Sequence, residues 1–356
     1  MLAFSPSVDR FVVEEIAAYE PVGEGEHTFL WIEKRDLTTP QAIGLLAAIL
    51  GVGDRDVGYA GMKDKRATTR QWVSVPRVEP ERALEVVTPE LRVLAASRHG
   101  NKLRVGHLRG NRFELVLTDD APAGPEAALE ALASVRERLH SLAELGVPNR
   151  FGEQRFGAAG DNAATGLAIL RGERKERDHR RRRLLLSAAQ SAVFNRVLER
   201  RAATGGLRLV REGDVLQKVA TGGLFVSETP AVDQARVDAG EVVPTGPLPG
   251  GREIEPPPGT AARALEDEAL LDVGATRADF ERAGRDLPGD RRPVVISLTL
   301  GDPPLALEPG AAAASAVRLR FSLPAGAYAT VVVAELGLAP TSPATNDVLP
   351  FSPRGR

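Results

Sequence analysis

Residues 58–72 read Gly-Tyr-Ala-Gly-Met-Lys-Asp-Lys-Arg-Ala-Thr-Thr-Arg-Gln-Trp, a glycine-containing loop that runs into a strand-like segment. One carboxylate, that of Asp64, lies here among four basic side chains: Lys63, Lys65, Arg66 and Arg70. Nearby cations keep a carboxylate ionised and attract phosphates, so the loop joins a nucleophile-capable group to a surface suited to nucleic acid. From the residues alone, a charged turn with a helix-capping Asp64 is the more frequent explanation.

Strand-like segments flank this loop on both sides. Apolar stretches at residues 11–13 and 29–32, separated by a glycine-rich turn, predict paired strands. Further strands are predicted at residues 70–75, 92–97, 102–108 and 112–118. After residues 29–32, Pro40 and apolar positions 43, 46, 47 and 50 predict a short helix that ends at Gly51. The first half is therefore predicted to be a largely antiparallel sheet with helices against it, an α+β fold.

A change of sequence character near residue 147 predicts a second domain. Before it, apolar residues at helical spacing from 129 to 145 predict a long amphipathic helix. After it come a loop rich in glycine and arginine and a predicted helix over 184–201, and strand-like segments resembling the first half return at 293–300 and 317–323. The middle is therefore predicted to be inserted into the first domain. The predicted ranges are 1–146 and 291–340 for the first domain, 147–290 for the insert and 341–356 for a loose tail.

Composition excludes several functional classes. With 356 residues, 43% hydrophobic and 26% charged, the chain suits two soluble globular domains. The absence of cysteine rules out thiol nucleophiles, thiolate zinc sites and cysteine-ligated clusters. Scattered histidines and the lack of phosphate-loop and zinc-peptidase motifs predict no metal site. Because no leader or membrane-spanning run is recognisable, we expect a cytoplasmic protein.

A basic run at residues 171–183 is the main local concentration of positive charge. It reads RGERKERDHRRRR and holds eight Arg or Lys against three acids, in a chain whose formal net charge is −2. A solvated basic helix or loop explains such a run when it stands alone. Contact with phosphates is the alternative.

Several separated segments resemble one known family. Residues 58–72 and 148–157 look like the signature of the tRNA pseudouridine synthase D family, the enzymes of uridine 13. Further matching segments, in the family's order, lie at residues 23–27, 111–113, 186–195 and 323–330. The resemblance covers nearly the whole chain. One departure is that Ser5 and residues 8–11 stand where the family usually has a lysine followed by Pro-Glu-Asp-Phe, and another is Arg150 at a position where an aromatic is common.

The resemblance implies both a fold and a site. The fold is a pseudouridine synthase catalytic core, mostly antiparallel sheet with flanking helices, interrupted by a family-specific α/β insertion domain. The catalytic residue of the family maps onto Asp64, beside Lys63, which is expected to contact substrate. The segment that lines the uracil pocket maps onto Asn111 and Phe113. Asn111 could bond to Asp64 or to an edge of uracil, and a turn residue after Gly110 is an explanation that stays open beside these. From the residues alone, a core phenylalanine on a strand is the more frequent explanation of Phe113.

The implied reaction needs no cofactor, because it detaches uracil from C1′ of the ribose, turns it and rejoins it through C5. One carboxylate can serve in each proposed route: attack on C1′, addition to C6, or removal of a proton from C2′. The uridine must leave its stack to be reached, and Phe113 offers it a flat apolar face. The sequence leaves the choice among the three routes open.

The expected partner is tRNA, bound by a monomer that uses no protein partner and no membrane. Candidate RNA contacts are Lys65, Arg66, Arg150, Arg155, Arg180, Arg181 and Arg182. For Arg150 and Arg155, a hinge role between core and insert is equally reasonable. Two alternatives stay open: a non-catalytic RNA-binding protein or folding chaperone on the same scaffold, and the same chemistry on another RNA.

Overall fold

The computed structural model describes residues 2–118, 125–308 and 316–338 of the chain. These residues fall into two compact units. The first unit lies within Met1–Leu145 and Ser297–Arg356, and the second within Gly146–Ile296. That the first unit is the catalytic core and the second the family-specific insertion stays a prediction, as do the ranges 1–146, 147–290 and 291–340.

The strands alternate with helices along the chain. The strands are β1 (Ala3–Phe4), β2 (Phe11–Ala17), β3 (His27–Arg35), β4 (Gly58–Tyr59), β5 (Thr68–Pro76), β6 (Leu91–His99), β7 (Leu108–Thr118), β8 (Val147–Pro148), β9 (Val215–Lys218), β10 (Leu224–Val226), β11 (Val242–Leu248), β12 (Asp290–Pro293), β13 (Val295–Ile296), β14 (Thr299–Leu307) and β15 (Ala316–Pro324). The helices are α1 (Thr39–Leu50), α2 (Pro80–Leu84), α3 (Pro125–Leu145), α4 (Asn162–Leu170), α5 (His179–Ala203), α6 (Pro230–Asp238), α7 (Ala261–Asp272), α8 (Arg277–Glu281) and α9 (Ala329–Glu335). Single 3-10 turns lie at Asp54–Asp56, Glu153–Phe156 and Gly284–Asp286.

The first unit is built on one large sheet. Its strands lie in the order β14-β15-β7-β2-β5-β3-β6, with β1 against β7 and β4 against β5. Among the strand pairs that the structure describes, β2 and β5 are parallel and the others antiparallel. Strand β15 returns from the far end of the sequence and pairs with β7 along its whole length of nine residues.

Alternation along the strands decides which residues enter the core. In β2, Phe11, Val13 and Glu15 are buried, while the side chains between them are half-buried. Leu30 and Ile32 of β3 pack with the apolar face of α1, which contributes Leu46 and other buried residues. Helix α1 begins at a capping box formed by Thr38 and Gln41 and ends at Gly51, whose φ of 71° suits glycine.

The second unit packs a long helix beside a small sheet. Strands β10, β9, β11 and β12 form this sheet in that order, and β8 pairs with β13. Helix α5 has 25 residues and begins at the capping side chain of Asp178. Its buried positions Leu186, Ala189 and Val193 form a cluster with α4, α7 and the segment around Phe280.

The α+β fold class is confirmed, but three strand predictions are wrong. The strands at 11–13 and 29–32 do not pair with each other, because β5 lies between β2 and β3. Helix α1, helix α3 and strand β15 lie where the sequence predicts them. Residues 102–107 form a turn instead of a strand: the Leu103 N–H donates to Ser74 Oγ (2.9 Å), the Gly106 N–H donates to the Ala60 carbonyl (2.8 Å), and β7 begins at Leu108. Residues 293–300 do not form one strand but divide among β12, β13 and β14.

The predicted tail at 341–356 lies outside the described residues. Within residues 2–118, 125–308 and 316–338, no helix combines the length and hydrophobicity that a membrane span requires.

Candidate active site

The backbone of the loop before β5 is held by buried polar side chains. The Lys63 N–H donates to Thr39 Oγ1 at 2.9 Å, and the Gln71 amide donates to the Gly61 carbonyl at 3.0 Å. The Thr39 hydroxyl in turn donates to Gln71 Oε1 at 3.2 Å, so α1 and β5 hold the loop together. Because buried polar groups are costly unless they are paired, these bonds fix one loop conformation.

Lys63 forms a buried ion pair with Glu15 of β2. Its ammonium lies 2.8 Å from Glu15 Oε2, and the two side chains are 2% and 0% exposed. Glu15 Oε1 also accepts from the Trp72 N–H at 3.3 Å. The pair therefore anchors the residue next to Asp64 to the middle of the sheet. Direct contact of Lys63 with substrate stays a prediction.

Lys34 of β3 is the second buried cation beside the loop. Its Nζ donates to the carbonyl of Asp64 at 2.8 Å and to the carbonyl of Leu37 at 2.6 Å. Burial lowers the pKa of the Lys34 side chain from 10.5 to about 7; the Asp64 carboxylate opposes this shift, Lys63 adds to it and Asp36 opposes it. The motifs and charge patterns of the sequence do not point to Lys34, although strand alternation puts it on the same face as Leu30 and Ile32.

Stability is expected to depend on pH through Lys34. Between pH 7 and 9, the unfolded chain keeps a proton at Lys34 that the folded chain has largely lost, so the free energy of unfolding rises with pH. We expect this rise to be about 2 kcal/mol larger in the native chain than in Lys34→Met. This gain in the free energy of unfolding is complete above pH 10.5, and it is lost as the pH falls through about 7. Urea unfolding of both proteins at the two pH values measures it, and equal rises would contradict the assignment.

The cations around Asp64 differ from those suggested by the sequence. The Asp64 side chain is half-buried, and its carboxylate interacts electrostatically with Lys34. Arg70 instead bonds to Glu33 at 2.9 Å and to Glu14 at 3.3 Å. Lys65 is half-buried and Arg66 is exposed on the bend that follows Asp64. Lys34, which lies about thirty residues earlier in the sequence, donates a hydrogen bond to the Asp64 peptide.

Asn111 and Phe113 lie on β7, next to the strand that carries Glu15. Strand register pairs Asn111 with Glu15 and Phe113 with Val13. Asn111 Oδ1 is buried without a hydrogen-bond partner among the described residues. This orphaned acceptor is a group that a ligand N–H can satisfy.

Phe113 is part of an aromatic cluster in the sheet. Its side chain is 4% exposed, stacks on Phe11 with ring centroids 6.3 Å apart, and its ring centroid lies 5.4 Å from that of Phe321. Strand β15 also approaches β7 closely at Gly110: a Cβ there would lie 2.2 Å from the Leu323 carbonyl oxygen, so this position requires glycine. The role of Phe113 as a wall for uracil stays a prediction.

A family model described as tRNA pseudouridine synthase D (TruD) matches residues 4–180 and 175–336. The chain belongs to the tRNA pseudouridine synthase D family. A relative of that description from Anaeromyxobacter dehalogenans (strain 2CP-C) is 45% identical over 334 residues, 92% of this chain and 90% of the relative. Another, from Thermus thermophilus, is 40% identical over 329 residues, 92% of this chain and 86% of the relative.

A solved structure confirms the family fold. The crystal structure described as tRNA pseudouridine synthase D from Methanosarcina mazei matches with a TM-score of 0.73 at 23% identity. The match covers 94% of each chain. The α+β architecture predicted from the resemblance to tRNA pseudouridine synthase D is therefore correct.

The remaining basic residues named from the family resemblance lie in the second unit. Arg155 is half-buried, donates to Ser191 Oγ at 3.0 Å and to Ser187, and lies over the Phe151 ring at 5.5 Å. Arg150 pairs with Glu199 at 3.0 Å. Arg150 and Arg155 therefore bond the segment around Phe151 to α5. Contact of these two arginines with RNA stays a prediction.

Acidic side chains partly neutralise the basic run 171–183. Arg181 pairs with Glu176 at 3.3 Å, and Arg182 pairs with Asp286 at 3.0 Å. Arg180 is exposed at the start of α5. Contact of Arg180, Arg181 and Arg182 with RNA stays a prediction. In the part of the chain that the structure describes, no group of three or more His, Asp or Glu side chains could hold a metal ion.

Proposed function

We propose that this protein isomerises uridine 13 of tRNA to pseudouridine, with Asp64 as the essential carboxylate. Membership of the tRNA pseudouridine synthase D family supports the reaction. The observation that carries the choice of Asp64 is the way its loop is built. Thr39, Gln71 and Lys34 hold the backbone from Gly61 to Asp64, while the Asp64 side chain itself is half-buried. A fixed backbone that presents a half-buried carboxylate suits covalent or general-base chemistry.

The reaction breaks the bond between C1′ and N1 and forms one between C1′ and C5. The proton on C5 leaves and N1 gains one, so the atoms balance without an oxidant, a reductant or an energy source. Asp64 can attack C1′, add to C6 or accept the proton of C2′, and each route needs the ionised form. The Asp64 carboxylate interacts electrostatically with Lys34.

The flipped base is proposed to contact β7. Asn111 Oδ1 needs a donor, and the N3–H of uracil is one. Phe113, within the cluster with Phe11 and Phe321, is proposed to form the apolar wall for the ring. Lys63 supports the loop through Glu15 and is proposed to lie beside the substrate.

Basic side chains of each unit are proposed to contact the tRNA backbone. Lys65 and Arg66 adjoin Asp64, and the second unit adds Arg180 with its neighbours Arg181 and Arg182. Arg150 and Arg155 are included as weaker contributors, because their guanidinium groups already bond within their own unit. Phosphate contacts of this kind position the RNA, whereas base contacts select the uridine.

Pseudouridine mapping tests the proposal. Unmodified tRNA transcripts are incubated with the protein without added cofactor, treated with carbodiimide and read by primer extension. A new stop that reports position 13 is the expected result. A stop elsewhere, or only in another class of RNA, would reject the site while keeping the chemistry. No stop in any transcript, together with retained RNA binding, would leave a non-catalytic RNA-binding protein.

A further inference from the structure

Lys34 occupies a position where the fold alone favours an apolar residue. It follows Leu30 and Ile32 on the core-facing side of β3, and its side chain is fully buried. Removing an ammonium group from water costs free energy that only good hydrogen bonds and opposite charges offset. An apolar side chain of similar volume at such a position is often neutral or stabilising. Burial of a lysine here therefore points to a role besides stability.

The acceptors of Lys34 show what this role concerns. Strand pairing places Lys34 opposite Thr69, at the start of β5. From there its Nζ reaches the carbonyl of Leu37, before α1, and the carbonyl of Asp64, before β5. One ammonium thus joins two segments of the chain, and one of its two acceptors belongs to the peptide that leaves Asp64.

We propose that Lys34 is a positioning residue for Asp64. Its terminal amino group, by donating to the Asp64 carbonyl, fixes the peptide after Asp64 and so aims the carboxylate at the reacting uridine. This inference rests on the proposed function, because it needs Asp64 to be the essential carboxylate. The plane of a peptide restricts the directions open to the side chain beside it. When the Lys34 amino group is absent, the Asp64 carbonyl loses this hydrogen bond, and the restraint on the peptide weakens. A displacement of about 1 Å in a reacting group is enough to lower a rate about 100-fold.

The contact with the Asp64 carbonyl distinguishes Lys34 from the other bonds of the loop. Thr39 and Gln71 bind the backbone at Lys63 and Gly61, which precede the carboxylate. Lys34 binds on the following side. The backbone is therefore restrained both before and after the Asp64 side chain. Loss of Lys34 removes only the hydrogen bond after it.

The test is the single-turnover rate of pseudouridine formation at saturating enzyme, measured for the native chain and for Lys34→Met. We expect the rate to fall about 100-fold, while tRNA affinity from filter binding stays within about twofold. The fraction of folded protein, followed by circular dichroism, is expected to stay unchanged. Lys34→Gln retains an amide donor without the charge, and its rate is expected to lie between those of the native chain and Lys34→Met. If Lys34→Met does not fold, the rate of Lys34→Gln tests the inference in its place.

Lys102→Met is the matched control. Lys102 is half-buried in the same unit and also donates to a backbone carbonyl, that of Arg55 at 2.6 Å. Its variant is expected to keep the native rate. A native rate in Lys34→Met would overturn the inference, and so would a loss of rate matched by an equal loss of affinity or of folded protein. If Asp64→Asn retains turnover, the proposed function fails; if Asp64→Asn is inactive and Lys34→Met is native in rate, the positioning role alone fails.

Discussion

Asp64→Asn is expected to lower the rate of pseudouridine formation by at least about 10³-fold, while tRNA still binds. The substitution keeps the size and polarity of the side chain but removes the negative charge that each of the three routes requires. The loop should remain in place, because the hydrogen bonds between its backbone and Thr39, Gln71 and Lys34 do not involve the substituted carboxylate. Single-turnover assays with an unmodified tRNA transcript, combined with filter binding, separate the loss of chemistry from any loss of affinity.

Asp54→Asn provides a control for this experiment. Asp54 is an exposed carboxylate in the 3-10 turn of the same unit, and its replacement removes the same charge from the protein. We expect this variant to retain the native rate. Turnover by Asp64→Asn within about tenfold of the native rate would reject Asp64 as the catalyst. Equal losses in both variants would attribute the effect to net charge.

Glu15→Met is expected to lower the free energy of unfolding by about 3–5 kcal/mol. The substitution leaves the Lys63 ammonium buried without its 2.8 Å partner. It also removes the acceptor of the Trp72 N–H. Urea unfolding at pH 7, monitored by tryptophan fluorescence and circular dichroism, measures the loss.

The double variant Glu15→Met/Lys63→Met separates the cost of an unpaired charge from the value of the pair. Because both charges are then absent, we expect at least about 2 kcal/mol of the loss to be recovered. The unpaired Trp72 N–H remains, so recovery should be incomplete. Losses that simply add in the double variant would show that the two side chains do not interact across the buried contact.

Local patterns were sufficient to predict much of the first unit. The cap before α1, its apolar face and Gly51 all lie within a short window, and the structure has the helix there. The strand-like segment at 317–323 likewise predicts β15. The strand expected at 102–108 failed because its backbone bonds to Ser74 and Ala60, residues distant in sequence that no local pattern reveals.

The site was only partly accessible from the sequence for a related reason. Asp64 is distinguished in the sequence by its charged neighbours, but proximity in sequence does not fix which of them lie beside it in space. Arg70 points to Glu33 and Glu14, and the cation that reaches the Asp64 peptide is Lys34 of another strand. Its importance depends on the pairing of β3 with β5, which composition and motif spacing do not encode.

Arginine positions show the same limit in the second unit. The residue type of Arg155 suits RNA phosphate, and the sequence left a hinge role open beside it. In the structure its guanidinium is engaged by Ser187, Ser191 and the face of Phe151. Whether a basic side chain faces a partner or its own domain depends on packing, and a single sequence does not reveal it.

The pairing of β15 with β7 has a consequence for folding during synthesis. On the ribosome, Gly146–Ile296 is complete before β15 emerges, so the contiguous second unit can form its contacts first. Until then, β7 keeps an unpaired edge along the residues that β15 will cover. A chain that stalls before residue 316 presents this edge to other chains, which makes incomplete synthesis a route to aggregation for this topology.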